Sequence, residues 1–178
     1  MKKFFLVLMV VVFCQSMAFA ASDPFDKLSL DLKGKVDEFE HSRLYKINFI
    51  KDDKPVQMSV QQKKADLEAI LVGISTQFEN LEYIQNDYEI SDSGCAVSTK
   101  EEIFELIGQD GFQGTDAWQD ESKKALSKYI DQNGDNLVLA NLHVASNYGD
   151  GDADAYHLFL IDLKNDEVTI ITVVTYSE

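Results

Sequence analysis

Three aspartates at alternate positions, Asp150, Asp152 and Asp154, are the residues of this sequence whose spacing comes closest to a metal site. Calcium-binding loops space their carboxylates in this way, but they also need a glycine at the sixth position and a bidentate glutamate at the twelfth. Those two places hold Ala155 and Ile161. The segment therefore fits two interpretations, which are a loose calcium site at these three aspartates and a solvated turn rich in Asp and Gly.

Two histidines lie on either side of this acidic loop. A symmetric hairpin would place His143 opposite Phe159 and His157 opposite Ala145, so that both imidazoles share one face as diagonal neighbours. A zinc site needs three or four ligands, and the predicted strands supply no third ligand on that face. The two histidines are therefore predicted to be core or interface residues.

Potential nucleophiles lack the partners that catalysis requires. The sequence contains neither the serine elbow pattern nor a phosphate loop ending in Gly-Lys-Ser or Gly-Lys-Thr. Cys95 has no adjacent basic residue that would stabilise a thiolate. The sequence therefore does not predict an enzyme, and Cys95 is predicted to be buried or to pair with another chain.

The first twenty residues have the pattern of a secretory signal peptide. Met1-Lys2-Lys3 is followed by the apolar run 4–13 and by Ala18-Phe19-Ala20, which is a small-x-small cleavage site. The apolar run is shorter than the roughly 20 residues that a membrane span needs. We therefore expect cleavage after Ala20, export to the periplasm or the medium, and no membrane attachment afterwards. Residues 21–178 are predicted to form a single globular domain.

The chain is strongly acidic, with 31 acidic and 16 basic residues and a formal net charge of −15. Because residues 1–20 contain two lysines and no acid, residues 21–178 carry a net charge of about −17. Such a charge repels nucleic acid and anionic membranes, so neither is predicted as a partner, and it favours a basic protein partner. Solubility or a saline habitat is the alternative explanation.

Hydrophobic patterning predicts the elements that position these residues. Three runs rich in β-branched and aliphatic residues, 137–144, 156–163 and 168–175, predict consecutive antiparallel strands. Their nearly continuous apolar character predicts a sheet covered on both faces. Alternation of apolar and polar residues predicts further strands within 25–60, ending in a hairpin whose turn is Asp52-Asp53-Lys54-Pro55.

Helical spacing predicts the covering layers. Apolar residues recur every three or four positions in 59–78, 100–107 and 115–129. Ser98 with Glu101, or Thr99 with Glu102, offers a capping box for the second helix. Leu81, Tyr83 and Ile84 are predicted to form a short strand, and Asp92-Ser93-Gly94 is predicted to be a turn.

These elements together predict an α+β fold. We expect a three-layer α/β/α sandwich with a mainly antiparallel sheet and a C-terminal three-stranded meander. Residues 61–178 would form the α/β/α core, and residues 21–60 a β-rich N-terminal extension. How that extension joins the sheet is left open.

Three segments within residues 62–178 share the pattern of a known family. They are the acidic start of a helix at Thr115-Asp-Ala-Trp-Gln-Asp-Glu-Ser122, the strand Ala155–Ile161, and the terminal strand from Val168 to Glu178. On these segments, residues 62–178 resemble the nuclease A inhibitor family. Members of this family bind a sugar-non-specific nuclease, and their C-terminal end, together with a glutamate, reaches the metal of the enzyme.

The resemblance implies a partner-binding site for this chain. Ser177 and Glu178 would reach the nuclease, Trp118 and Asp116 would support them, and Glu79 would be the accompanying glutamate. The family tail usually ends on a hydroxyl residue, whereas this chain continues to Glu178. The resulting hypothesis is an exported inhibitor of a basic nuclease. An immunity-type module with another target and a calcium-stabilised exported protein without enzymatic activity are the alternatives.

Overall fold

The computed structural model describes residues 24–37, 39, 41–82, 90–107, 116–148 and 151–176. Seven strands form one sheet: β1 Lys27–Gly34, β2 Ser42–Lys51, β3 Lys54–Val56, β4 Ile90–Val97, β5 Leu137–Tyr148, β6 Gly151–Asp162 and β7 Glu167–Tyr176. Within these described residues, four helices accompany it: α1 Val60–Ala65, α2 Leu67–Glu82, α3 Lys100–Ile107 and α4 Asp116–Asn133. A 3-10 turn, Gly134–Asn136, connects α4 to β5.

All the strand pairs of the described residues are antiparallel, and the strands follow the order β1-β2-β7-β6-β5-β4. The short strand β3 pairs with the end of β2. Residues 42–46 of β2 pair with residues 167–171 of β7, which brings the N-terminal strands into the same sheet as the C-terminal ones. The predicted α+β fold with a mainly antiparallel sheet is confirmed.

Apolar side chains pack on both faces of the sheet. One hydrophobic cluster joins Ile74 and Phe78 of α2 to Phe159 of β6. The other joins Ile103 of α3 and Leu126 of α4 to Leu158 and Leu160 of β6, among others. Because neighbouring residues of a strand point to opposite faces, a strand that serves both clusters must be apolar at nearly every position. This explains the continuous apolar sequence of β6.

The predicted helix over 59–78 is divided in two by Asp66. Ser59 caps α1 with a reciprocal box, in which its hydroxyl accepts from the Gln62 amide at 3.3 Å and its own amide donates to Gln62 Oε1 at 2.9 Å. The second helix, α2, continues to Glu82. The predicted strand around Leu81 is therefore wrong at this residue, while Tyr83 and Ile84 lie outside the described residues.

Caps mark the ends of the later helices. The Thr99 amide donates to Glu102 Oε2 at 2.7 Å, and the Glu102 amide donates to Thr99 Oγ1 at 3.2 Å. The capping box of α3 is thus the one formed by Thr99 and Glu102. In α4, Leu126 is fully buried and Asn133 Nδ2 donates to the Tyr129 carbonyl at 2.8 Å.

The N-terminal hairpin turns at two aspartates. Asp52 and Asp53 have φ values of +49° and +58°, and Lys51 pairs with Lys54 on either side of them. Two consecutive left-handed residues make the turn whose twist matches antiparallel strands. The turn predicted at 52–55 is therefore confirmed at Asp52-Asp53, whereas Lys54 and Pro55 belong to β3.

Two turn predictions are wrong because strand pairing overrides local preference. Asp92, Ser93 and Gly94 belong to the edge strand β4 and pair with Ala145, Val144 and His143. Polar residues and glycine are tolerated on an edge strand. The predicted acidic loop is also shorter than expected, since Tyr148 pairs with Gly151 and β6 begins there.

Candidate partner-binding site

The register of β5 and β6 places the two histidines on opposite faces of the sheet. His143 pairs with Tyr156, and Leu142 pairs with His157. The sequence predicted Phe159 opposite His143, so the predicted register of β5 against β6 is wrong by three residues. A shift by an odd number of residues moves the side chains of one strand to the other face of the sheet. The predicted diagonal pair of histidines therefore does not form.

His157 belongs to the core beneath α2. Its side chain is 2% exposed, its ring meets Phe78 edge-on with centroids 4.6 Å apart, and its Nδ1 shares a 3.0 Å hydrogen bond with Thr172 Oγ1. Burial disfavours the imidazolium and lowers the pKa of His157 to about 3. The prediction of a core histidine is confirmed for this residue.

The opposite face carries carboxylate positions at the end of the sheet where β5 and β6 are joined. Asp92 of β4 and Asp154 of β6 both pair with Ala145 of β5, so the three residues form one row across the sheet. Asp152 lies two residues before Asp154 and shares its face. Strands separated by one neighbour are about 10 Å apart, so the backbones of Asp92 and Asp154 are about that far apart.

A stacked pair of rings lies beside this row. His143 and Tyr156 are both half-buried, with ring centroids 4.7 Å apart and planes inclined by 21°. Each ring belongs to the residue two positions from the Ala145–Asp154 pair, and both lie on the same face as that pair. Asp92, Asp152, Asp154, His143 and Tyr156 are called the acidic sheet end below.

This combination suits a cationic side chain. A guanidinium group stacks on aromatic faces and donates two parallel hydrogen bonds to a carboxylate.

Other residues predicted for partner binding are dispersed. Glu79 lies in α2, whereas Asp116 and Trp118 lie in the first turn of α4, and these two helices pack into hydrophobic clusters on opposite faces of the sheet. Ser177 and Glu178 lie outside the described residues, but β7 ends at Tyr176 opposite Ala153, at the same end of the sheet as Asp152 and Asp154.

Two of the three aspartates predicted as calcium ligands lie in the described part of the chain. Asp150 lies outside the described residues, while Asp152 and Asp154 are in β6. Within the part of the chain that is described, no group of three or more His, Cys, Asp or Glu side chains is placed to hold a metal ion. Calcium binding by Asp150, Asp152 and Asp154 stays a prediction.

Glu79 has a neighbour that sequence reasoning did not assign to it. Cys95 of β4 is half-buried and free, and it packs against the cluster beneath α2. Burial, followed by the negative charge of Glu79, raises the pKa of the Cys95 thiol to about 11. The thiol is therefore a packing group with little thiolate at neutral pH, as the absence of a basic neighbour in the sequence predicted.

We expect native Cys95 to react slowly with iodoacetamide. A pKa about two units above the ordinary thiol value lowers the thiolate fraction about 100-fold at pH 8. In a Cys14→Ser background, alkylation of the native protein should be at least that much slower than alkylation in urea. Glu79→Gln should increase the native rate. A native pH–rate profile with its midpoint below pH 9 would contradict this assignment.

Asp92 and Tyr156 were not identified as site residues from the sequence. Asp92 was assigned to a turn, and Tyr156 was assigned to a strand without a partner. The available signal was the alternation Asp152-Ala-Asp154-Ala-Tyr156, which places one acid or ring on the same face at every second position. This alternation indicates one face of a strand only if β6 begins at Gly151.

The structure thus defines an α+β protein with an antiparallel sheet. No family model, no curated protein and no solved structure matches this chain. Among the described residues, no helix combines the length and the apolar composition needed to cross a membrane.

Proposed function

We propose that this chain is an exported protein that binds and inhibits a basic partner protein, namely a sugar-non-specific nuclease. The observation that carries the proposal is the excess of carboxylates, 31 acidic against 16 basic residues. A nuclease groove that holds phosphates is positively charged, so a strongly acidic protein is steered toward it as DNA is.

The ion pairs of the described residues show how few cations are left to oppose the excess of carboxylates. Several of the few cations are already engaged by carboxylates of the same chain, in the pairs Lys27–Asp53, Lys33–Glu167, Arg43–Glu82 and Lys63–Asp166. Each such pair neutralises one positive and one negative charge locally, so the surplus of carboxylates is unchanged and few unpaired cations oppose it. The remaining acids therefore dominate the field that an approaching protein meets.

The acidic sheet end is the contact surface that we assign to this partner. Asp92 and Asp154 would pair with an arginine or lysine of the nuclease, and the stacked His143 and Tyr156 would receive its planar group. Because β7 ends at this same end of the sheet, a C-terminal probe formed by Ser177 and Glu178 is compatible with the surface. Roles for Glu79, Asp116 and Trp118 are part of the proposal through the family resemblance alone.

The finer architecture is proposed on the same basis. Two hydrophobic clusters, one involving α2 and the other α3 and α4, support a three-layer α/β/α sandwich. The pairing of β5, β6 and β7 in chain order supports the C-terminal meander. Residues 1–20 are proposed to be a signal peptide, which would deliver the domain 21–178 to the periplasm or the medium.

The deciding experiment is the degradation of plasmid DNA by a metal-dependent non-specific nuclease, titrated with the purified protein at several salt concentrations. We expect inhibition at micromolar protein that weakens as salt rises, because screening shortens the reach of the charges. Deletion of Ser177 and Glu178, or the double variant Asp152→Asn/Asp154→Asn, should weaken inhibition by about tenfold or more.

Control variants separate specific contact from charge alone. Glu101→Gln/Glu105→Gln removes two exposed charges from α3. It should weaken inhibition by less than Asp152→Asn/Asp154→Asn does. Absence of inhibition at low salt would refute the nuclease proposal. Capture of a different basic protein would then support an immunity-type module, and a rise in melting temperature with millimolar calcium would support the calcium-stabilised alternative.

A further inference from the structure

A groove lies where α2 passes over the first strand of the sheet, far from the acidic sheet end. Phe25, Leu28, Ala69 and Val72 contribute its apolar lining, and Asp26, Lys27 and Asp66 are its charged lining residues. The volume is about 310 Å³, roughly twice the ~150 Å³ of a cavity that accommodates benzene. The groove therefore has room for one large side chain of another molecule.

The close approach of α2 to β1 depends on a glycine. A Cβ atom at Gly73 would lie 2.6 Å from Leu28 Cδ2, so the absence of a side chain lets the two elements meet. Val72, the preceding residue, is turned outward and is 59% exposed. It is one of three large hydrophobic residues of the described chain that are exposed, together with Leu32 and Val97. An exposed valine beside an apolar groove is available for contact with another molecule.

The surroundings of the groove are acidic. Asp66 is shared with a second depression that also includes Ala65 and Glu68. Within the described part of the chain, the carboxylates of Asp66 and Glu68 have no hydrogen bond or ion pair with another side chain. The nearby cation, Lys27, is bound to Asp53 at 2.8 Å. The net field around the apolar lining therefore favours a cationic occupant.

We propose that the α2–β1 groove is a docking site for a basic amphipathic segment of a partner protein, which inserts one apolar side chain against Val72 while flanking lysines or arginines pair with Asp66 and Glu68. The occupant is chosen by charge complementarity, because the carboxylates of Asp66 and Glu68 repel an acidic segment and a second copy of this acidic chain. The proposal rests on the binding of a basic partner, but not on the acidic sheet end. The groove involves β1 at one edge of the sheet, and the acidic sheet end begins at β4 on the other edge.

The test uses a short synthetic helix of leucine and lysine as the probe, with a leucine–glutamate helix as its counterpart. Binding to the purified protein is measured by calorimetry at low salt. Val72→Lys should weaken binding of the basic probe by at least about tenfold, since burial of one valine side chain is worth such a factor. Glu68→Gln should weaken it about twofold.

Val97→Lys is the matched control. Val97 is 57% exposed, lies in β4 and receives the same change of charge, so it should alter binding less than twofold. The melting temperature of each variant establishes that it is folded. Equal affinities of the Val72→Lys and Val97→Lys proteins, or equal binding of the acidic probe, would overturn the groove assignment.

A further variant separates this inference from the proposed nuclease inhibition. Asp152→Asn/Asp154→Asn should leave binding of the basic probe within twofold, because these residues belong to the other surface. Probe binding without nuclease inhibition would reject the nuclease and keep the groove. Nuclease inhibition that Val72→Lys leaves intact, with no probe binding by the parent protein, would reject the groove and keep the nuclease.

Discussion

Replacement of Lys63 by alanine is expected to lower the free energy of unfolding by about 3 kcal/mol, since removal of one member of a buried ion pair leaves its partners unsatisfied. Lys63 is 3% exposed and forms an ion pair with Asp166. Its Nζ also donates to the Leu163 carbonyl at 2.8 Å and lies 5.7 Å from the centre of the Phe49 ring. One side chain of α1 therefore holds the turn between β6 and β7.

Urea unfolding at pH 7 measures this effect, and the adjacent residue provides the control. Lys64 is in the same short helix but is exposed, so Lys64→Ala should change the free energy of unfolding by no more than about 0.5 kcal/mol. Lys63→Met/Asp166→Asn should recover part of the loss, because the double variant leaves no uncompensated charge. Asparagine tolerates the left-handed backbone of Asp166, whose φ is +55°. Equal losses in Lys63→Ala and Lys64→Ala would contradict the assigned role of Lys63.

The second large effect is a loss of stability in acid caused by His157. Its pKa is about 3 in the folded protein against an ordinary value of 6.5, so protonation favours the unfolded chain. The stabilising contribution of the neutral imidazole is complete above pH 6.5 and is lost as the pH falls toward 3. Each pH unit in that interval costs about 1.4 kcal/mol, which amounts to about 2 kcal/mol at pH 5.

The quantity to measure is the difference in unfolding free energy between pH 7 and pH 5. His157→Leu should reduce that difference by about 2 kcal/mol relative to the parent protein, whatever the substitution itself costs at pH 7. His143→Leu, on the opposite face and half-buried, is the control for the removal of an imidazole ring. If His157→Leu and the parent protein lose stability equally between the two pH values, the buried histidine is not the acid-sensitive group.

Periodicity in the sequence was sufficient for most secondary elements. Continuous apolar runs predicted β5, β6 and β7, and the spacing of Ile70, Ile74 and Phe78 predicted the helix that covers one face. These patterns are local, because a strand or helix that contacts the core must carry its apolar residues at the period of its own backbone. The residues Thr99 and Glu102 predicted a capping box for the same reason, since both partners lie within one turn.

The candidate sites depended on information that no local pattern contains. The turn preference of Asp92-Ser93-Gly94 was overridden by pairing with β5, and the faces of His143 and His157 were decided by an odd shift in register. The groove arises only where α2 crosses β1, because Gly73 and Leu28 are distant in sequence and meet through packing. Composition and period thus determined the elements and the charge of this protein, whereas the tertiary structure decided which acids, rings and apolar residues share a surface. The physical reason is that register and helix crossing minimise the free energy of the whole core rather than that of any single segment.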